Sequence, residues 1–339
     1  MTYISEENNR SMEVKRRNNG YKNNSKSINR NSNKQKRKLR IIRNIIIGVC
    51  CIVVCTLLTG IYKNVSNNDN AVAVSTQINE GTKTDVTEKT KKSQYRAVKD
   101  YKIKAPKDYT RDEMTDILKE YAKTDEDIRT IYENIDDYDS DMLDKVVNNP
   151  EMALFIRNCL DYSDDEIIPA DLSGKEKGKQ NPLFLQWDER WGHIPYGDSN
   201  IGLAGCGPTC VAMAVFSLTR NEDVTPKSVA EYSEQNGHYV EGIGTAWSLM
   251  TSFPKSYNIS VSEVSLSEES LINELNAGHQ MICAMGPGDF TRGGHFILIY
   301  GYDEKGFKIN DPNCIARSKK RWSYDRLKTQ IRAIWGFSK

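Results

Sequence analysis

Apolar residues are sparse over positions 1–43, fill positions 44–62 without one charge, and thin out again to 106. From 107 they return at helical spacing. Thr110-Arg-Asp-Glu113 is a capping-box signature, followed by Met114, Ile117, Leu118 and Tyr121. A second helix is expected after Thr124, with Ile128, Ile131 and Tyr132 inward. A third is expected near Ser140, with Met142, Leu143, Val146 and Val147. A fourth, from Pro150, is expected to bury Met152, Ala153, Phe155, Ile156 and Leu160. Asp171–Asn181 is a charged, Gly-containing joint. Beyond it, the run from Cys210 to Leu218 is apolar on nearly every side, which predicts a helix inside a core. Thr225-Pro226 caps another helix, Gly244–Met250 opens a third, and Ser267–Leu275 is amphipathic. Strands are expected at 258–264, Gln280–Met285, His295–Tyr300 and Gly306–Asn310, the last two forming a hairpin. Residues 323–331 read as a last helix and Ala333–Phe337 as a closing strand. Helices first and an antiparallel sheet second make an α+β arrangement.

Charge divides the chain more sharply than its net value of +1 suggests. Residues 1–43 carry thirteen Lys/Arg against three Glu, an Asn- and Ser-rich block unable to bury a core and expected to be disordered. Nineteen uncharged residues follow at 44–62, a helix of roughly 28 Å, close to the hydrocarbon thickness of a bilayer. Positive charge lies before this span, with Arg40 and Arg43 at its edge, and only Lys63 follows until Lys83. The positive-inside rule then puts residues 1–43 in the cytoplasm and 63–339 outside. A cleaved signal peptide with Ala71-Val72-Ala73 as its site is the rival, but the basic region is too long and the site too distant. The expected order is therefore a basic tail (1–43) and a transmembrane signal-anchor (44–62). A polar linker (63–106), a small acidic helical bundle (107–170) and a C-terminal domain (182–339) follow. The basic tail is an orientation signal that also meets anionic lipid, so membrane lipid is an expected partner and nucleic acid is not.

All five Trp and all four His lie after residue 186, so the chemistry is expected there. In Gly205-Cys206-Gly207-Pro208-Thr209-Cys210, Pro208 suits the first turn of a helix. A cysteine placed there feels the positive end of the helix dipole and unpaired N–H groups, both favouring thiolate. The bland alternative, a cysteine packed as a small hydrophobe, is the commoner fate of cysteines and suits Cys210 and Cys283. Cys159, Cys206, Cys210, Cys283 and Cys314 make an odd number outside the membrane, leaving at least one free thiol. Cys206 and Cys210, one helical turn apart, are poorly placed for a disulfide. Neither a CxxC pair nor a His cluster points to a metal, and no cofactor is expected.

A cysteine nucleophile needs a base, and the base needs an orienting group. His295 begins a strand behind Gly293-Gly294, and Asp311 ends the partner strand sixteen residues later, where a tight hairpin makes them neighbours. Cys206, His295 and Asp311 thus form a nucleophile, base and orienting acid. The Cys206 N–H and the Gln186 side-chain amide are candidates for an oxyanion hole. His193, His238 and His279 read as hydrogen-bonded or surface residues. Trp187, Trp191 and Trp247 read as core and cleft wall, and Asp188 as a turn cap.

The segments Gln186-Trp187-Asp188-x-x-Trp191, Tyr196-Gly197, Gly205–Thr209, Gly293-Gly294-His295-Phe296 and Asn310-Asp311-Pro312-Asn313 resemble the C39-like group of papain-fold cysteine peptidases. The helical region, with Asn149-Pro150-Glu151 and Phe155, resembles the segment preceding this domain in membrane-anchored Gram-positive relatives. The resemblance implies a papain-like fold of central helix and antiparallel sheet, with Cys206, His295, Asp311 and Gln186 in the roles above. Two features depart from the transporter-linked branch that cuts double-glycine leaders: no Walker A sequence is present, and Gln186 stands twenty residues before Cys206. The loop Gly192–Ala204 between them is then a substrate or lid element. The expected activity is thiol-dependent hydrolysis of a peptide. Peptidoglycan amidase or endopeptidase activity, and a binding module without turnover, are the alternatives.

Overall fold

A computed structural model of the protein describes residues 101–162 and 170–339. The basic tail at 1–43, the span at 44–62 with Cys50, Cys51 and Cys55, and the linker up to residue 100 lie outside the described residues. Among the described residues no helix is long and apolar enough to cross a membrane.

The helical region begins with α1 (Arg111–Ala122), closed by the expected box in which Thr110 and Glu113 cap one another. Next come α2 (Glu126–Glu133) and α3 (Ser140–Asn148), capped by Asp125 and Asp139. Asp125 rather than Thr124 accepts the free N–H of α2, because its carboxylate reaches Ile128 N at 3.0 Å. A tight turn at Pro150–Met152 leads into α4 (Ala153–Asn158). Leu160 is exposed, contrary to expectation, since α4 ends two residues before it.

The apolar stripes of these helices do not close on each other alone. Leu118, Ile131, Leu143 and Phe155 share one core with Leu185 and Trp187, which precede the central helix. Phe155 is seated on Gly202, where a Cβ would come within 2.2 Å of its ring, so only glycine permits this approach.

The C-terminal region is built on α5 (Cys206–Thr219), whose residues 207–217 are all buried. Beside it runs α6 (Pro226–Gln235), begun by Thr225 and Pro226, while α7 (Glu268–Asn276) lies on the other face of the sheet. Six antiparallel strands form one sheet: β1 (Ser260–Glu263), β2 (Gln280–Met285), β3 (His295–Asp303), β4 (Gly306–Asn310), β5 (Arg321–Trp322) and β6 (Ile331–Ser338). Their order is β1-β6-β2-β3-β4-β5. Alternation sorts the side chains: Ile282, Ala284, Phe296, Leu298 and Trp335 meet α5. Met281, Cys283, Ile297, Ile299 and Ile334 meet Leu271 of α7 and Leu327 on the other face. A strand covered on both faces reads as an unbroken apolar run, as residues 281–285 do.

Two expectations are corrected. The stretch Gly244–Met250 is not a helix from its start: Gly244–Thr245 pairs with Tyr239–Val240, and helix occupies Leu249–Ser252. The helix expected at 323–331 spans Tyr324–Lys328, because Ile331 is already paired with Met285 in the sheet.

Candidate active site

The helix α5 begins at Cys206 itself, following Gly205. The N–H groups of Cys206 and Gly207 have no intrahelical carbonyl to meet, and that of Gly207 bonds the thiol. Gly207 must lack a side chain, since a Cβ there would stand 2.6 Å from Thr245. On the facing sheet, β3 opens with His295 opposite Met285 of β2. Leu298 pairs with Asn310 of β4, so the open end of this hairpin carries His295 on one strand and Asp311 just past the other. The result is a short bond, with His295 Nε2 2.8 Å from Asp311 Oδ1. Because Nε2 is occupied, the bond between the imidazole and the Cys206 thiol uses Nδ1.

Asp311 is fully buried and accepts from more than the histidine. Asn313 N donates to Oδ1 at 2.8 Å and Arg317 Nε donates to Oδ2 at 2.6 Å. Burial pushes this carboxyl up, but the Arg317 charge and then His295 pull it down, to about 2. Burial by itself would strip the His295 proton; the charge and hydrogen bond of Asp311, with the bond to Cys206, lift its pKa to about 9. For Cys206 burial works against ionisation and is outweighed by His295 and by the N–H groups of Phe296 and Gly207, so its pKa falls below that of an ordinary thiol.

The other described cysteines contrast with it. Burial raises Cys210, Cys283 and Cys314 far above the ordinary range, and Cys159 to about 12. All five are free thiols. Among the described residues, no cluster of His, Cys, Asp and Glu fit to hold a metal occurs.

Gln186 is buried beside this group. Its Nε2 donates to Gly202 O at 2.8 Å, leaving the second amide hydrogen for another acceptor, while its Oε1 has no partner. Gln186, Cys206 and His295 line one cavity of about 290 Å³, walled on its far side by Asp144, Asn148 and Asn149 of the helical region. Arg292 closes that end by bridging to Asp144 and Asp108, each at 2.5 Å. A second cavity of about 560 Å³ opens on the other side of Cys206 and His295, lined by Ile243, Trp247, Met285, Pro287 and Phe296. The reacting groups thus stand between a polar and an apolar half-cleft.

All four residues singled out in the sequence meet here. The remaining candidates fall elsewhere. His193 is stacked between Phe155 and Tyr162, His238 bonds Ser248, and His279 bonds Glu274. Asp188 accepts from Arg190 within its turn. Trp191 is core, while Trp187 donates to Asn313 O at 2.9 Å and Trp247 lies half exposed at the cleft. The loop Gly192–Ala204 is tied down through Tyr196, whose hydroxyl meets Ser233 and Thr245. Its Leu203 and Ala204 form cleft wall. Sequence reasoning missed Arg317, the charge that keeps Asp311 ionised. In Ala316-Arg317-Ser318-Lys319 it looks like any surface cation.

A central helix bearing a thiol at its start, set against an antiparallel sheet bearing the histidine and the acid, is the arrangement that the resemblance to papain-fold cysteine peptidases implies. The family described as Peptidase_C39 like matches residues 179–338. Among solved structures, similarity is found to the peptidase domain of Streptococcus ComA, a bi-functional ABC transporter involved in a quorum-sensing pathway. Identity is 18%, over 40% of this chain and 90% of that one, with a TM-score of 0.32. Similarity is also found to a protein from Bacillus anthracis described as a C39-like peptidase, at 17% identity over 47% of this chain and 96% of that one, TM-score 0.29. Comparison with curated proteins gave no match.

Proposed function

We propose that the protein is a cysteine peptidase acting through an acyl-enzyme on Cys206. One observation carries this reading: the only described thiol with a lowered pKa is the one bonded to a histidine that is itself held by a buried aspartate. In the proposed reaction the Cys206 thiolate attacks the scissile carbonyl carbon. The oxygen takes up the negative charge, facing the Cys206 N–H and the Gln186 amide. His295 Nδ1–H protonates the amine, the C–N bond breaks and a thioester remains. Water, losing a proton to His295, attacks the thioester; the C–S bond breaks and the carboxylic product leaves. Asp311 holds the imidazole by Nε2 throughout.

The site of action is part of the proposal. The uncharged run 44–62 behind a block of thirteen basic residues supports a single-pass anchor with its N-terminus in the cytoplasm and the peptidase domain outside. The test uses the full chain in membranes, a library of unblocked peptides, and mass spectrometry of the quenched enzyme. A thioester adduct mapped to Cys206, with products absent from Cys206→Ala, is expected. Turnover that survives Cys206→Ala, or an adduct on another residue, would refute the reading.

A further inference from the structure

The loop that carries the acid is not held by its own hairpin. After β4 ends at Asn310, residues 311–318 turn away from the sheet. Some of their backbone groups bond within the turn, as Asp311 N does to Ser318 Oγ and Cys314 N to Asp311 O, and others are taken up from elsewhere. Pro312 O accepts from Gln186 N at 2.8 Å. Asn313 O accepts from Trp187 Nε1 and from the side-chain amide of Asn149. Both carboxylate oxygens of Glu151 are spent on the turn Ile315–Ser318, Oε2 accepting from Ile315 N at 2.6 Å and Oε1 from Ala316 N at 2.9 Å. The next residue is Arg317, whose Nε reaches Asp311. Asn149 and Glu151 belong to the turn that enters α4, outside the region matched by the family.

A bidentate carboxylate on two successive N–H groups is a strong and directional clamp. Placed one residue before Arg317, it sets where that guanidinium stands, and hence where the buried Asp311 carboxylate lies relative to His295. We propose that Glu151, contributed by the helical region, is a positioning residue for the Cys206–His295–Asp311 site, acting through the 315–318 turn and Arg317. The proposal rests on the peptidase reading above. It makes the helical region a part of the enzyme that builds the acid loop, as well as the wall of one half-cleft.

The measurements compare wild type with Glu151→Gln and Glu151→Ala in the full chain. They record Cys206 alkylation by iodoacetamide against pH, the low-field proton NMR signal of the His295 Nε2–H, and kcat and KM on a cleaved peptide. Glu151→Gln has the same shape and keeps one acceptor, so it decides the matter should Glu151→Ala fail to fold. Displacing a catalytic group by about an ångström costs on the order of a hundredfold in rate. The expected result is a kcat lower by about tenfold in Glu151→Gln and about a hundredfold in Glu151→Ala, with KM within about threefold. The labelling midpoint moves to higher pH and the imidazole signal moves upfield or broadens. A folded Glu151→Gln with wild-type kcat, labelling midpoint and imidazole signal would overturn the positioning role while leaving the peptidase reading intact. A wild-type Cys206 that labels no faster than Cys159 would instead overturn the peptidase reading, and this inference with it.

Discussion

At the scale of single residues the site is a balance of buried charges, none stable without its neighbour. Arg317 and Asp311 are both almost wholly out of water, and removing one partner of such a pair costs about 3–5 kcal/mol. Arg317→Ala is therefore expected to lower stability by about that amount in chemical denaturation. It should also raise the Asp311 pKa from its value near 2. The sign follows from linkage. In wild type the stabilisation from Asp311 is present above about pH 4, the unfolded value, and is lost as pH falls through 2. In Arg317→Ala the loss begins at higher pH, which pH-dependent unfolding would reveal. Gln186→Ala tests the oxyanion assignment: kcat should fall about a hundredfold to a thousandfold with little change in KM. An unchanged kcat would leave Gln186 as a packing residue bonded to Gly202.

At the scale of elements, one apolar contact in the junction between the helical region and the C-terminal domain also bears on the site. Phe155 occupies the space that a side chain at position 202 would need, and Gly202 O receives the Gln186 amide. Gly202→Val is expected to destabilise by about 1–3 kcal/mol through overpacking. It should also lower kcat, because the carbonyl that aims Gln186 moves with it. Thermal unfolding and steady-state kinetics on the same preparation check both. Phe155→Ala, which relieves the contact instead, leaves a cavity costing about 3–5 kcal/mol. The two variants should move stability the same way for opposite steric reasons.

For the whole molecule the prediction is a pH profile. The proposed reaction needs a Cys206 thiolate and a protonated His295, so activity should rise with pH through the lowered Cys206 pKa. It should fall as pH passes about 9, where His295 loses its proton. Alkylation of Cys206 needs the thiolate alone and should stay high above pH 9, separating the two groups. Stability follows His295 in the same direction: its contribution is complete below about pH 6.5 and is lost as pH rises through 9. A hydrolysis profile without the alkaline fall would show that His295 is not the proton donor.

Much of this protein is legible along the chain. The capping box at Thr110, the all-round apolar helix after Cys206 and the alternating strands are local consequences of side-chain type and spacing, so composition and period suffice to find them. Cys206, His295 and Asp311 are legible as candidates that the fold brings together, because a Gly-flanked thiol at a helix start and a histidine opposite a hairpin acid are local patterns. The short elements depart from local propensity where strand pairing overrides it, as at Gly244–Thr245 and Ile331. Tertiary structure alone decided which charges stand together. Arg317 looks like a surface cation, and Glu151 lies 164 residues from the Ile315 N–H that it binds. No periodicity links them, since a buried carboxylate selects its partners by distance in the folded molecule and not by spacing along the chain.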